Sequence, residues 1–157
     1  MLHGTDITLD MVDTPTFLGI RQRDFNMDFA VVVTADKGEA GVTMYMCENE
    51  HYDVAIREAD GGFEAVLKLN IGDIKHVQSA VKLSGNSARL IIRADNYGYK
   101  FFVDDNGKET GLGYGSTKYL SSEVSGGFTG VVMGLYAVGN NTAEFEKLNI
   151  DYFENKE

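Results

Sequence analysis

The sequence predicts an all-β domain: an antiparallel, jelly-roll-like sandwich of two sheets with about ten to twelve strands. Three observations carry that prediction. Large apolar residues alternate with polar or small ones in segment after segment, Asn, Asp and Gly punctuate the segments, and no long window holds a helical stripe. The 18 glycines against a single proline fit many short strands joined by tight turns. An immunoglobulin-type sandwich fits less well, because the chain has no Trp for its core.

The strands follow in order. From Phe25 to Val33 the odd positions Phe25, Met27, Phe29, Val31 and Val33 are all large and apolar. Val42, Met44 and Met46 alternate with Thr43, Tyr45 and Cys47; Phe63, Ala65, Leu67 and Leu69 alternate with Glu64, Val66, Lys68 and Asn70. Tyr97, Tyr99, Phe101 and Val103 repeat the pattern, and Val131, Met133, Leu135 and Ala137 close it. Between them, Asp36-Lys37-Gly38, Asp60-Gly61-Gly62, Ser84-Gly85-Asn86, Asp105-Asn106-Gly107 and Gly139-Asn140-Asn141 supply residues that tolerate positive φ. Ile71 to Val81 has room for one helical turn. From Asp105 through Gly127 the alternation stops and glycines accumulate, which predicts one long loop of the kind that carries function.

The chain of 157 residues fits one domain, residues 1–157, able to bury a core without disulfides or metal. Its formal charge of −10 repels phosphate backbones and anionic lipid, which argues against nucleic acid and membrane partners and leaves neutral partners such as sugars. Cys47 is the one cysteine, so neither an intramolecular disulfide nor a cysteine zinc site is expected. No segment approaches the about 20 apolar residues of a membrane helix, and Met1 to Asp6 does not read as a leader peptide. These features predict a cytoplasmic protein.

Catalytic patterns are missing. A sandwich glucanase needs Glu, Asp and Glu on one face of one strand, and neither Glu144-Phe145-Glu146 nor Asp151-Tyr152-Phe153-Glu154 supplies the third carboxylate at the right parity. Cys47 stands beside Glu48, which raises a thiol's pKa, and His51, four residues on and available as its base, reads more simply as a polar residue at a strand edge. His3 and His76 are isolated in sequence, and Gly111-Leu112-Gly113-Tyr114-Gly115 precedes no helix that would make it a phosphate cradle. Aromatics offer a different chemistry: Tyr97, Tyr99, Tyr114, Tyr119 and Tyr136 are candidates for a sugar-stacking platform, against the plainer role of tyrosine as a good strand former. A structural calcium is a further candidate, with Asp151 meeting Asp6 or Asp10 across the termini.

Several segments together resemble the C-terminal sandwich of family 43 glycoside hydrolases of the β-xylosidase and α-L-arabinofuranosidase type. Thr16-Phe17-Leu18-Gly19-Ile20-Arg21-Gln22-Arg23-Asp24-Phe25 resembles its opening strand, and Glu39-Ala40-Gly41-Val42-Thr43-Met44-Tyr45 with Asn49, His51 and Tyr52 resembles the next motif. Tyr97 to Asp104 is similar to the strand before the family's Asp-Gly turn, and Phe128-Thr129-Gly130-Val131-Val132-Met133-Gly134-Leu135-Tyr136-Ala137 is the closest match. Ile150-Asp151-Tyr152-Phe153-Glu154 resembles the closing strand, so the resemblance runs from about residue 16 to 154, after a lead-in over residues 1–15. Ile20 and Asp24 depart from the Arg and His of many members, and the Trp often found near the Asp-Gly turn is missing.

The resemblance implies a concanavalin-A-like fold that packs on a five-bladed propeller carrying the catalytic carboxylates. It implies a non-catalytic accessory domain of an enzyme acting on xylo-oligosaccharides or arabinofuranosides, with Phe128 projecting towards the partner's pocket. The alternative reading is an independent carbohydrate-binding module that uses the tyrosine platform on xylan- or arabinan-derived oligosaccharide. A second copy of the chain is a further expected partner.

Overall fold

The computed structural model describes residues 2–4, 16–21, 27–47, 50–71, 74–95, 98–116, 132–139 and 141–152. They form twelve strands: β1 (Leu2–His3), β2 (Thr16–Arg21), β3 (Met27–Ala35), β4 (Glu39–Cys47), β5 (Glu50–Ala59), β6 (Gly62–Ile71), β7 (Ile74–Lys82), β8 (Ser87–Ala94), β9 (Gly98–Asp105), β10 (Lys108–Ser116), β11 (Val132–Val138) and β12 (Thr142–Tyr152). The first sheet runs β1-β12-β3-β8-β9-β10 and the second β2-β11-β4-β5-β6-β7. Neighbours within each sheet are antiparallel throughout the described residues. The predicted all-β sandwich is the observed architecture.

Alternation places the core where the sequence puts it. Met27, Val31 and Val33 of β3 meet Val42 and Met44 of β4, Leu67 of β6 and Phe101 and Val103 of β9, all fully buried between the sheets. Two hairpin turns form as expected: Asp60 and Gly61 join β5 to β6 with φ of 47° and 80°, and Asn106 and Gly107 join β9 to β10 with φ of 53° and 89°. Two consecutive positive φ values mark the primed turns whose twist matches the flanking strands.

Two expectations are corrected. The described residues of 71–81 hold no helical turn: Ile74–Lys82 is an edge strand, β7, exposed along most of its length, so neither face imposes a polar–apolar period. The expected loop from Asp105 to Gly127 begins instead with a strand, β10, paired to β9 through a bulge between Gly111 and Gly113. Its glycines erase the alternation because bulky groups occupy the space their side chains would take. A Cβ on Gly115 would lie 2.7 Å from the Tyr52 ring, and one on Gly113 2.8 Å from Gln78. Residues 117–127 lie outside the described set.

One end of the sandwich is tied by Asn141, which is 3% exposed. Its Nδ2 donates to the carbonyls of Lys37 (2.8 Å) and Glu39 (3.1 Å), while its backbone carbonyl accepts from the Gly4 amide (2.8 Å). The side chain therefore joins the β3–β4 and β11–β12 crossings. Asn141→Ala is expected to lower stability by about 1–2 kcal/mol, since two part-buried carbonyls lose their donor; urea denaturation at neutral pH checks this, and a loss near zero would contradict it.

Candidate functional site

The strands of the second sheet put a polar array on its outer face, and the ladder registers define it row by row. Glu39, Arg57, Glu64 and Lys82 form one row across β4 to β7. Gly41, Ala55, Val66 and Ala80 form the next, flanked by Tyr136 from β11. Thr43, Asp53, Lys68 and Val77 follow, and then Tyr45, His51, Asn70 and Lys75. Tyr136 packs with Ala55 and Val66 of the second row, and Tyr136 and Lys68 both reach Glu39.

Glu39 is the hub. Lys68 Nζ donates to its Oε2 at 2.5 Å and Tyr136 Oη donates to the same oxygen at 2.7 Å. Arg57 Nε pairs with Glu64 Oε1 at 3.0 Å beside them. Burial works against the Lys68 ammonium, but Glu39, Asp53 and the Glu39 hydrogen bond outweigh it, so its pKa lies above the usual lysine value. The Tyr136 phenol is pushed well above its ordinary value, first by burial and then by Glu39 and Asp53.

A second cluster adjoins the first. His51 Nδ1 lies 2.8 Å from Asp53 Oδ1, and Asn70 Nδ2 lies 3.1 Å from His51 Nε2. With Nδ1–H donated to the carboxylate, Nε2 is the acceptor for the Asn70 amide, which fixes the tautomer. Tyr45 stacks on the His51 ring, centroids 5.6 Å apart. His51, Asp53 and Asn70 are all buried, and Thr43 Oγ1 and Asn70 Oδ1 have no hydrogen-bond partner. A cleft of about 170 Å³ opens here, lined by His51, Asp53, Lys68, Leu69 and Asn70 and by Lys75, His76 and Val77 of β7. His51, a candidate base for Cys47, and His76, isolated in sequence, thus line one cleft.

Among the described residues, the sequence-predicted site residues do not converge on it. Tyr99 is not a platform residue: at 1% exposure its ring packs edge-on against Tyr52 in the core. Tyr136 is buried in the Glu39 cluster instead of presented to solvent. Tyr114 is exposed, and its ring lies over Gly98 on the adjacent strand, covering the space a side chain there would need. Asp151 is exposed and accepts from Asn149 Nδ2 at 3.1 Å, and no group of three or more metal-ligating side chains occurs among the described residues. Tyr97, Tyr119, Phe128, Asp6 and Asp10 lie outside the described residues. Sequence reasoning missed Glu39, Asp53, Lys68 and Asn70, whose only signal was a run of polar residues on the outward parity of their strands.

Comparison with known proteins decides the family. Residues 1–156 match the family described as the β-xylosidase C-terminal concanavalin A-like domain. The chain belongs to this family. It is 33% identical over 159 aligned residues to the non-reducing end α-L-arabinofuranosidase BoGH43B of Bacteroides ovatus, covering 98% of this chain and 30% of that protein. The solved Bacteroides ovatus xyloglucan GH43B structure superposes with a TM-score of 0.86 at 31% identity, over 96% of this chain and 32% of that one. The xylan β-1,4-xylosidase of Bacillus halodurans shares the fold with a TM-score of 0.84 at 15% identity, over 94% of this chain and 31% of that one. This family 43 domain thus spans about a third of the length of the relatives it matches.

Proposed function

We propose that the chain is the accessory domain of a family 43 glycosidase acting on xylo-oligosaccharides or α-L-arabinofuranosides, and that it packs against the catalytic propeller without supplying catalytic residues. The observation that carries this reading is the family match over residues 1–156 in a chain that spans only 30% of its arabinofuranosidase relative. A docking side is also available. β7 and β10 each form one edge of its sheet, and they meet where Gln78 packs on Gly113. Of the large apolar side chains most exposed among the described residues, Ile74 (68%) and Val77 (43%) belong to β7, Tyr114 (42%) to β10 and Leu148 (52%) to β12. Ile74 and Val77, close together on one edge strand, suit a surface that another surface covers. In this reading Phe128 reaches into the partner's substrate pocket.

The test supplies a family 43 catalytic domain in trans. The two parts are expected to co-elute, with hydrolysis of aryl arabinofuranoside or xyloside only when the catalytic domain is present. Ile74→Asp combined with Val77→Asp is expected to weaken association by about tenfold or more while leaving the isolated sandwich folded. Hydrolysis by this chain alone, or co-elution indifferent to the double substitution, would count against the proposal.

A further inference from the structure

We propose that a trough on the outer face of the first sheet, formed by β12, β3 and β8, binds a single neutral glycosyl unit through its hydroxyl groups. The trough lies in the sheet opposite β7, and β9 separates its strands from β10. Along β3, Phe29, Val31 and Val33 point into the core, which leaves Asp28 and Ala30 outward. Ala30 pairs with Asn149 on one side and Ile91 on the other, and Ala30 and Ile91 make an apolar floor. Asp28, between Asp151 and Arg93, stands at one end of the trough. Arg89, four residues from Arg93 and so about 13 Å along β8, stands at the other. The space of about 170 Å³ is smaller than the roughly 300–1,000 Å³ of drug-sized sites, so it takes one ring.

Unpaired charge in the trough points to a ligand. Asp28 and Asp151 are directly opposite one another, an arrangement that like charges disfavour. The cation that could relieve it is turned away across β9. Arg93, opposite Asp28 on β8, has its Cζ 4.6 Å from the Phe102 ring centroid and donates from Nη2 to Glu109 at 2.9 Å. Neither Asp28 nor Arg89 has a hydrogen bond or ion pair among the described residues. The backbone is bent to build the polar wall. A bulge between Glu146 and Asn149 adds one residue to β12, with Lys147 at φ 52°, a left-handed conformation that lysine rarely adopts. Without that residue, Leu148 and Ile150 would stand opposite Ala30 and Asp28. With it, Asn149 and Asp151 do, and Ile150 turns onto the core. These groups match a sugar ring. The aspartates accept from hydroxyls, Arg89 donates to hydroxyl or ring oxygens, and the floor meets ring C–H groups. Anionic ligands are disfavoured by the two aspartates and a net charge of −10.

The experiment titrates the ¹⁵N-labelled chain with methyl xyloside and methyl arabinofuranoside, and with glycerol and calcium chloride as controls. A pentoside is expected to give saturable shifts in the Ala30 and Ile91 amides and the Asn149 side-chain amide, with millimolar affinity. Asp28→Ala is expected to weaken binding by about tenfold. Its stability in urea should be unchanged or higher, because the like-charge contact with Asp151 is gone, whereas a purely structural Asp28 would lower it. Arg89→Ala, at the other end of the trough, is expected to weaken binding several-fold. Absence of saturable shifts, shifts equal with glycerol, shifts with calcium chloride alone, or affinity unchanged in either variant would overturn the proposal. The choice of pentosides rests on the family 43 reading. The titration needs no catalytic domain, so its failure is distinct from a failure to co-elute.

Discussion

Replacing Tyr52 by alanine is expected to lower the unfolding free energy by about 3–5 kcal/mol, the largest effect of any single substitution considered for this fold. Tyr52 is fully buried on the inward face of β5, between the two sheets. Its ring meets Tyr99 at 6.1 Å and 68° and Phe101 at 6.4 Å and 84°, both edge-to-face, so each contact adds to the area buried. The same ring is the reason position 115 is glycine, since an added Cβ would stand 2.7 Å from its edge carbons. Truncation therefore opens a cavity bounded by strands of both sheets, which can close only if the sheets move. Tyr52→Phe keeps the ring and is expected to cost no more than about 1.5 kcal/mol. Urea denaturation of the three proteins checks the pair; a Tyr52→Ala loss below about 1.5 kcal/mol would show that the sheets close over the gap.

Glu39→Ala is expected to cost about 2–3 kcal/mol at neutral pH and to reshape the alkaline limb of stability. The carboxylate is the acceptor for both Tyr136 and Lys68, and Tyr136 is wholly buried, so its hydroxyl would lose its donor bond inside the protein. Lys68 contributes less to that figure, because its side chain is 30% exposed and water can replace the lost partner. Both groups have raised folded-state pKa values. Above about pH 10 the unfolded chain releases these protons while the folded protein still holds them. Stability is accordingly full below that pH and falls as pH rises towards the folded-state values, at up to about 1.4 kcal/mol per pH unit for each group. Tyr136→Phe removes the phenol's share, so its alkaline limb should be shallower than that of the unsubstituted protein. Thermal unfolding followed from pH 8 to 11 reads both effects, and parallel limbs in the two proteins would contradict the assignment.

How much of the fold can be read from the chain varies strand by strand. β3, β4, β6, β9 and β11 were legible because one face is core and the other is not, which writes a period of two into the sequence. β5 and β8 carry runs such as Val54-Ala55-Ile56 and Leu90-Ile91-Ile92 that are buried on both faces, so alternation fades there. β7 fades for the opposite reason, being exposed on both faces, and β10 because neighbouring side chains occupy the space above its glycines.

The sequence by itself determined the class of fold, the hairpin turns at Asp60-Gly61 and Asn106-Gly107, the inward face of five strands and, through motifs in order along the chain, the family. These are properties of neighbours within a few residues, or of their linear order. Only the tertiary structure decided the candidate site. Tyr136 reaches Glu39 across 97 positions and Lys68 reaches it across 29. Asn70 meets His51 across 19. Hydrogen bonds and burial depend on distance in space, and sheet register, which no local spacing reveals, sets that distance.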